Sequence, residues 1–204
     1  MFRINETIEN KIIIQKSEFI THLYRVNNIE EINSILEAVR KKYYDATHNC
    51  YAYILGDNQD IQKCSDDGEP AKTAGSPMMD VLKKNNMTNI LAVVTRYFGG
   101  ILLGAGGLVR AYSSSVAEAL KGAKLYDTIN VVEFMITVSY PQYNNLLNIK
   151  EITILDSSFT DNVIIIGCIS KDLYSGLSEL LYQNKIDASS LKIIKESLKE
   201  IPLE

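Results

Sequence analysis

The chain has 204 residues, of which 46% are hydrophobic and 23% are charged, and its formal net charge is -4. This length allows one large or two small hydrophobic cores. The longest apolar runs are far shorter than the roughly 20 residues of a membrane-spanning helix, and the N-terminus lacks the pattern of a secretory signal peptide. The three cysteines are odd in number and widely spaced, so we expect a cytoplasmic protein with reduced thiols and no membrane partner.

The first 130 residues predict alternating strands and helices. Two extended segments, 11–15 and 19–26, are separated by polar residues and predict a hairpin. Apolar residues at helical spacing then predict a helix from 29 to 42, with basic residues at its C-terminus. The remaining predicted elements are strands at 48–55 and 61–64, a loop at 65–77, a helix at 78–86, a strand at 89–98 and a helix at 108–124.

The pattern restarts at about residue 126, and the predicted domain boundary lies between Tyr126 and Val131. Its elements are a strand at 131–140, a helix at 143–150, strands at 151–159 and 162–170, a helix at 173–185 and a strand at 190–198. This strand–helix–strand–strand–helix–strand order is typical of a ferredoxin-like domain. Acidic residues outnumber basic ones after residue 131, whereas the two are balanced before it. We therefore predict an α+β protein with two domains, 1–130 and 131–204.

The segment TRYFGGILLGAGGLVRAY, residues 95–112, holds five of the eleven glycines. A glycine-rich turn that opens a helix exposes N–H groups to an anion, and Arg96 and Arg110 could add charge-assisted contacts. The segment lacks the lysine of a Walker A loop and the glycine register of a dinucleotide fold, so we expect no nucleotide cofactor. The alternative is that the glycines permit close packing and the arginines pair with surface carboxylates.

Two further stretches carry polar groups. In SDDGEP, the carboxylates of Asp66, Asp67 and Glu69 could bind a cation or face the arginines, although the spacing is not that of a calcium loop. A simple acidic turn is the alternative. In DATHNCYAY, strand alternation places His48 and Cys50 on the same face. Such a pair can activate a thiolate, but buried structural residues are the simpler interpretation, and we expect no metal site.

Three of these stretches together resemble the signatures of the Impact family, in particular its bacterial YigZ-type branch: ATHNCYAY, SDDGEPAKTAGSP and VVTRYFGGILLGAGGLVRAY. The resemblance implies an N-terminal α/β sandwich like the second domain of a small-subunit ribosomal protein, and a ferredoxin-like C-terminal domain like those of elongation factor G. It also implies a link to translation, because eukaryotic members act through a regulator of an initiation-factor kinase. Lys72 and Ser76 differ from the small and basic residues that the family usually has there.

Two hypotheses about function follow. The first is a non-enzymatic binding protein whose partner is RNA or a translation-associated protein. The second is an enzyme for a phosphorylated or carboxylated substrate, with an acidic residue of SDDGEP as acid or base. The acidic C-terminal domain could also be a protein-docking module. The predicted binding residues are His48, Asp66, Asp67, Glu69, Thr73, Arg96, Tyr97, Gly99, Gly100, Gly104, Gly106, Gly107 and Arg110.

Overall fold

A computed structural model describes residues 1–202, and the chain divides into two compact units. The first unit comprises Met1–Asp127 and the second Thr128–Ile201. Each unit has a hydrophobic core of its own. The predicted domain bounds, 1–130 and 131–204, stay a prediction. No helix within residues 1–202 has the length and apolarity needed to cross a membrane.

Strands and helices alternate in the first unit. They are β1 (Arg3–Ile4), β2 (Ile8–Ile14), β3 (Ser17–Arg25), α1 (Ile29–Lys42), β4 (His48–Leu55), β5 (Ile61–Ser65), α2 (Gly75–Lys84), β6 (Ile90–Tyr97) and α3 (Gly104–Lys121). The next strand, β7 (Leu125–Val138), begins in this unit, where it pairs with β1, and continues into the second.

The main sheet of the first unit is antiparallel and has the order β2-β3-β6-β4-β5. Successive residues of a strand point to opposite faces, and the buried strand β6 shows this clearly. Leu91 and Val93 pack with the apolar residues of α1 on one face. Ala92 and Val94 pack with residues of α2 and α3 on the other. The sheet therefore lies between α1 and the α2–α3 pair.

The second unit contains the rest of β7, followed by α4 (Tyr140–Leu146), β8 (Ile152–Phe159), β9 (Val163–Ser170), α5 (Lys171–Tyr174), α6 (Leu177–Gln183) and β10 (Lys192–Pro202). Strand β7 pairs with β9 and β10, and β8 pairs with β9. Alternate residues of β7 enter the core, where they join α6 residues such as Leu181. The chain order matches the predicted one, except that the second helix is split.

Several predicted boundaries were wrong. Helix α2 begins at Gly75, inside the predicted loop 65–77, and α4 spans Tyr140–Leu146 rather than 143–150. Helix α3 begins at Gly104 rather than at residue 108, so three of the five glycines lie inside its first turns. Helix propensity disfavours glycine, but the packing of α3 against the sheet overrides that preference. The predicted helix at 173–185 is interrupted around Gly176. Strand β7 starts at Leu125 rather than at residue 131, because its first residues pair with β1.

Candidate functional site

Sheet register brings two predicted site residues next to each other. His48, the first residue of β4, is paired with Arg96 near the end of β6. Arg96 is an even-numbered residue of β6, like Ala92 and Val94, so alternation directs it to the face covered by α2 and α3. Both side chains therefore lie under the start of α3, close to the segment that follows β6.

A buried ion pair forms the floor of this region. Arg96 Nη1 donates to Glu69 Oε1 at 2.6 Å, and the two side chains are 6% and 3% exposed. The Tyr112 hydroxyl, on α3, donates to the same oxygen at 2.8 Å. The guanidinium of Arg96 also lies over the ring of Phe19, 5.4 Å from its centroid. Arg96 is thus held by a carboxylate and an aromatic ring, and its charge is compensated inside the protein.

Hydrogen bonding fixes the orientation of the His48 ring. Nδ1 lies 2.8 Å from the backbone carbonyl oxygen of Asp67, which can only accept, so Nδ1 carries the proton. In the neutral imidazole Nε2 is then an acceptor. Nε2 lies 3.8 Å from Glu69 Oε2, which is too long for a hydrogen bond. In this neutral form, His48 Nε2 and Glu69 Oε2 are two neighbouring acceptor atoms.

A cavity of about 380 Å³ opens above these groups; we call it the Glu69 cavity. Its polar lining includes Thr47, His48, Glu69 and Arg96, and its apolar lining includes Phe98, Leu102, Leu103, Ala105 and Leu108. The segment 98–103, between β6 and α3, forms part of its rim, and Leu102 is 86% exposed. A polar floor under an apolar rim is the usual composition of a binding pocket.

The other carboxylates of SDDGEP do not line this cavity. Asp66 accepts from the backbone N–H groups of Lys72, Ala74 and Gly75, at 2.8 to 3.0 Å. Burial would raise the pKa of Asp66, but these three N–H groups outweigh it and hold the pKa below its ordinary value. Asp67 accepts from the backbone N–H of Asn49. Both side chains therefore shape the loop, as does Thr73, whose hydroxyl donates to the carbonyl of Pro70.

Cys50 is a buried structural thiol. Its Sγ lies 2.9 Å from the carbonyl oxygen of Asp66 and 3.4 Å from the Tyr112 hydroxyl. Burial raises the pKa of Cys50 to about 12, with the nearby Glu69 adding to the rise, while the hydrogen bond to Tyr112 opposes it. The thiol stays protonated near neutral pH, and it is not activated by His48, whose ring nitrogens face Asp67 and Glu69.

The remaining predicted residues have varied roles. Tyr97 donates to Asp45 at the surface, and Arg110 is exposed on α3 away from the cavity lining. A Cβ on Gly99 would lie 2.0 Å from the carbonyl carbon of Lys16, so only glycine fits there. Gly104 lines the cavity with φ +68. The structure brings together His48, Glu69, Arg96 and Gly104, but not Asp66, Asp67, Thr73, Tyr97, Gly99, Gly100, Gly106, Gly107 or Arg110.

Sequence reasoning missed several residues of the site, among them Tyr112, Phe98 and Leu102. A buried tyrosine hydroxyl usually has a polar partner, which is the signal that could have identified Tyr112. Phe98 and Leu102 were passed over because single apolar residues in a loop carry no periodic signal. Within the described residues there is no group of three or more histidine, cysteine or acidic side chains arranged to hold a metal ion.

Comparison with known proteins identifies relatives of this chain. The family model of the Impact N-terminal domain matches residues 15–120. The IMPACT family member YvyE of Bacillus subtilis is 54% identical over 119 residues, which are 58% of this chain and 55% of that protein. An IMPACT family member of Haemophilus influenzae is 37% identical over 173 residues, covering 82% of this chain and 84% of that protein.

A solved structure is also similar along nearly the whole chain. It is a crystal structure described as that of a hypothetical protein, with 33% identity, a TM-score of 0.60 and 95% of each chain covered. The match to YvyE spans only about half of that protein's length, whereas the match to the Haemophilus protein spans most of both chains. The residues matched by the family model include the whole Glu69 cavity. The chain belongs to the Impact family.

Proposed function

We propose that this protein is a non-enzymatic binding protein of the cytoplasm that takes part in translation regulation, and that it contacts its partner at the Glu69 cavity. The family resemblance is the basis for the proposed link to translation. The observation that carries the choice of surface is the exposed apolar rim beside a buried polar floor, with Leu102 86% exposed and Phe98 46% exposed. Exposed apolar residues grouped at a cavity mark binding sites more often than isolated ones do.

The backbone of α3 beside the cavity supports the same proposal. A Cβ on Gly106 would meet no atom within 4 Å, and its φ is not in the left-handed region. Glycine costs about 1 kcal/mol relative to alanine inside a helix, and no contact within the described residues accounts for it. A partner that approaches the helix backbone closely would account for a glycine at position 106.

The hydrogen bonds that the acidic side chains already make favour a role in binding over a role in catalysis. An enzyme of the type considered from the sequence would use Asp66, Asp67 or Glu69 as acid or base. Asp66 accepts the backbone N–H groups of Lys72, Ala74 and Gly75, and Asp67 accepts that of Asn49 in β4. Glu69 is held by Arg96 and Tyr112 through one oxygen. These contacts suit a rigid recognition surface.

The surroundings of Arg96 favour a protein partner over RNA. Nucleic-acid binding depends on clustered, uncompensated lysine and arginine, whereas the charge of Arg96 is compensated by Glu69. The rim is apolar, and apolar anchors in pockets dominate protein–protein recognition. RNA is the alternative partner. Binding to RNA would weaken steeply as the salt concentration rises, because phosphate contacts depend on salt.

The fold types of the two units belong to the same proposal. For the second unit, a ferredoxin-like domain is supported by the strand order β10-β7-β9-β8, in which the first and third strands are central. For the first, a sandwich of the ribosomal-protein type is supported by the antiparallel sheet between α1 and the α2–α3 pair. Limited proteolysis should cut near residues 127–131 and release two folded fragments; random cutting within both units would contradict two domains.

Affinity purification of the tagged full chain tests the proposed function. The wild type should recover ribosomal proteins or translation factors, identified by mass spectrometry, and Leu102→Asp should abolish that recovery. The matched control is Tyr182→Asp, which places the same charge at a 78% exposed residue of the second unit and should leave recovery intact. Equal recovery by both variants would overturn the choice of surface, and recovery lost on nuclease treatment would identify RNA as the partner.

A further inference from the structure

Two acceptor atoms lie at the floor of the Glu69 cavity. Arg96 and Tyr112 both donate to Glu69 Oε1, so Oε2 is the oxygen left for another group. His48 presents Nε2, because its Nδ1 proton is bonded to the carbonyl of Asp67. The Glu69 side chain is only 3% exposed, so a donor that reaches Oε2 forms its hydrogen bond away from bulk water. These two acceptors favour a ligand that donates.

The spacing of the two acceptors specifies the kind of donor. Oε2 and Nε2 are 3.8 Å apart, so one nitrogen placed between them can lie at ordinary hydrogen-bond distance from both. It must carry at least two protons, one for each acceptor. A primary ammonium meets this requirement, and the negative charge of Glu69 favours it over a neutral amide because charge-assisted hydrogen bonds are stronger.

The other residues that line the cavity indicate the chemistry of the rest of the ligand. Phe98, Leu102 and Leu108 give it apolar walls, which suit a branched aliphatic side chain. Leu103, Gly104 and Ala105 line it at the N-terminus of α3, which has no side-chain cap. The positive end of a helix dipole favours an oxygen over a cation. A carbonyl next to the ammonium would satisfy that end of the cavity.

We propose that the Glu69 cavity binds an apolar α-amino acyl group, with its primary ammonium between Glu69 Oε2 and His48 Nε2 and its side chain against Phe98, Leu102 and Leu108. This chemistry occurs at the amino terminus of a polypeptide that begins with a leucine-like residue, and in a free amino acid derivative. The proposal rests on the proposed function for its choice of site, and names the group that this site recognises.

Calorimetric titration of the full chain tests the proposal. Leucinamide should bind, and N-acetylleucinamide, which lacks the ammonium, should bind at least about tenfold more weakly, because a hydrogen-bonded charged group is lost. A tripeptide beginning with leucine distinguishes the sources: affinity equal to that of leucinamide points to a polypeptide terminus, and much weaker affinity to a free derivative. Equal binding of the acetylated and free forms, or no binding of either free form, would overturn the proposal.

Glu69→Gln is the most informative variant. The glutamine oxygen can still accept from Arg96 and Tyr112, while its amide N–H₂ replaces Oε2 and donates towards His48. Binding of leucinamide should fall about tenfold or more, and Glu37→Gln, the same substitution at an exposed residue of α1, should leave it unchanged. If Glu69→Gln does not fold, nitrogen NMR of wild-type His48 replaces it: leucinamide should shift Nε2 and leave the proton on Nδ1. An unshifted Nε2 at saturation would contradict the proposal.

The two proposals fail in different ways. If leucinamide does not bind but Leu102→Asp still abolishes recovery of translation components, the ligand assignment is wrong and the proposed function stands. If leucinamide binds and those components are never recovered, the ligand assignment stands and the link to translation fails.

Discussion

In the first unit, charged and polar side chains such as Glu69, Arg96 and His22 are buried, whereas the buried side chains of the second unit, among residues 1–202, are hydrocarbons and Cys168. Burying charge costs free energy unless every charge is paired, and an apolar core of equal volume is often as stable. A chain that needed only stability could have built both units like the second. The polar groups of the first unit are therefore the place to look for function.

The largest effect should come from breaking the buried ion pair. Arg96→Ala leaves the Glu69 carboxylate buried without its cation, and the free energy of unfolding should fall by about 3–5 kcal/mol. Urea unfolding measures this, and the double variant Arg96→Met with Glu69→Gln should be less destabilised than Arg96→Ala alone. The control is Arg110→Ala, at an exposed arginine, which should change the free energy by less than about 0.5 kcal/mol. If Arg96→Ala and Arg110→Ala had equal free energies of unfolding, the proposed difference between the polar first unit and the apolar second unit would be contradicted.

A cavity in the second core should affect stability alone. Leu181 is fully buried, and Leu181→Ala should lower the unfolding free energy by about 3 kcal/mol, because packing and transfer contributions are lost. Recovery of translation components by the folded variant at low temperature should equal that of the wild type. Tyr182→Ala, at the neighbouring exposed residue, should change the unfolding free energy very little. A loss of recovery in folded Leu181→Ala would show that the second unit also carries function.

A backbone effect of about 1 kcal/mol should appear at Lys72. Its φ is +64, and its N–H donates to Asp66, so a lysine occupies the left-handed conformation that glycine adopts readily. Lys72→Gly should raise the unfolding free energy by about 1 kcal/mol, whereas Lys72→Ala, which keeps the Cβ, should not. A loss of stability in Lys72→Gly would contradict this account of the loop.

The smallest effect should be a pH dependence that arises from His22. Burial lowers the pKa of His22 below 6.5, and the hydrogen bond and charge of Glu9 oppose that change. The unfolded chain therefore binds the proton more readily than the folded one. The contribution of His22 to stability should be complete above about pH 6.5 and should be lost as the pH falls below it. Urea unfolding at pH 7.5 and 5.5 should show a steeper loss for the wild type than for His22→Gln; the reverse order would contradict the assignment.

Part of the site could be predicted from the sequence. The acidic SDDGEP segment and the two arginines of the glycine segment indicated a carboxylate that faces an arginine, and Glu69 and Arg96 do pair. Which of three carboxylates would pair could not be read from the sequence. Asp66 and Asp67 bond to backbone N–H groups only because of the path of the loop. That path depends on the packing of α2, which involves residues distant in the chain.

The fold was more predictable than the chemistry. Periodicity located every long strand and helix, because apolar alternation directly reflects burial. It failed at the start of α3, where glycine propensity pointed to a later beginning. The kind of ligand that the cavity binds was harder to predict from the sequence than the fold was. The glycines and arginines indicated an anion site, but the compensation of Arg96 and the tautomer of His48 depend on distances between side chains from four elements.

Photo-crosslinking in cells tests the central claim most directly. A benzophenone amino acid would replace Leu102 at the rim of the Glu69 cavity or, as the control, Tyr182 in the second unit. Both residues are largely exposed, so the two probes have similar access to solvent. The account predicts that the probe at 102 is joined to a ribosomal protein or translation factor and that the probe at 182 is not. Crosslinks to such a component from 182 alone, or none from 102, would contradict it.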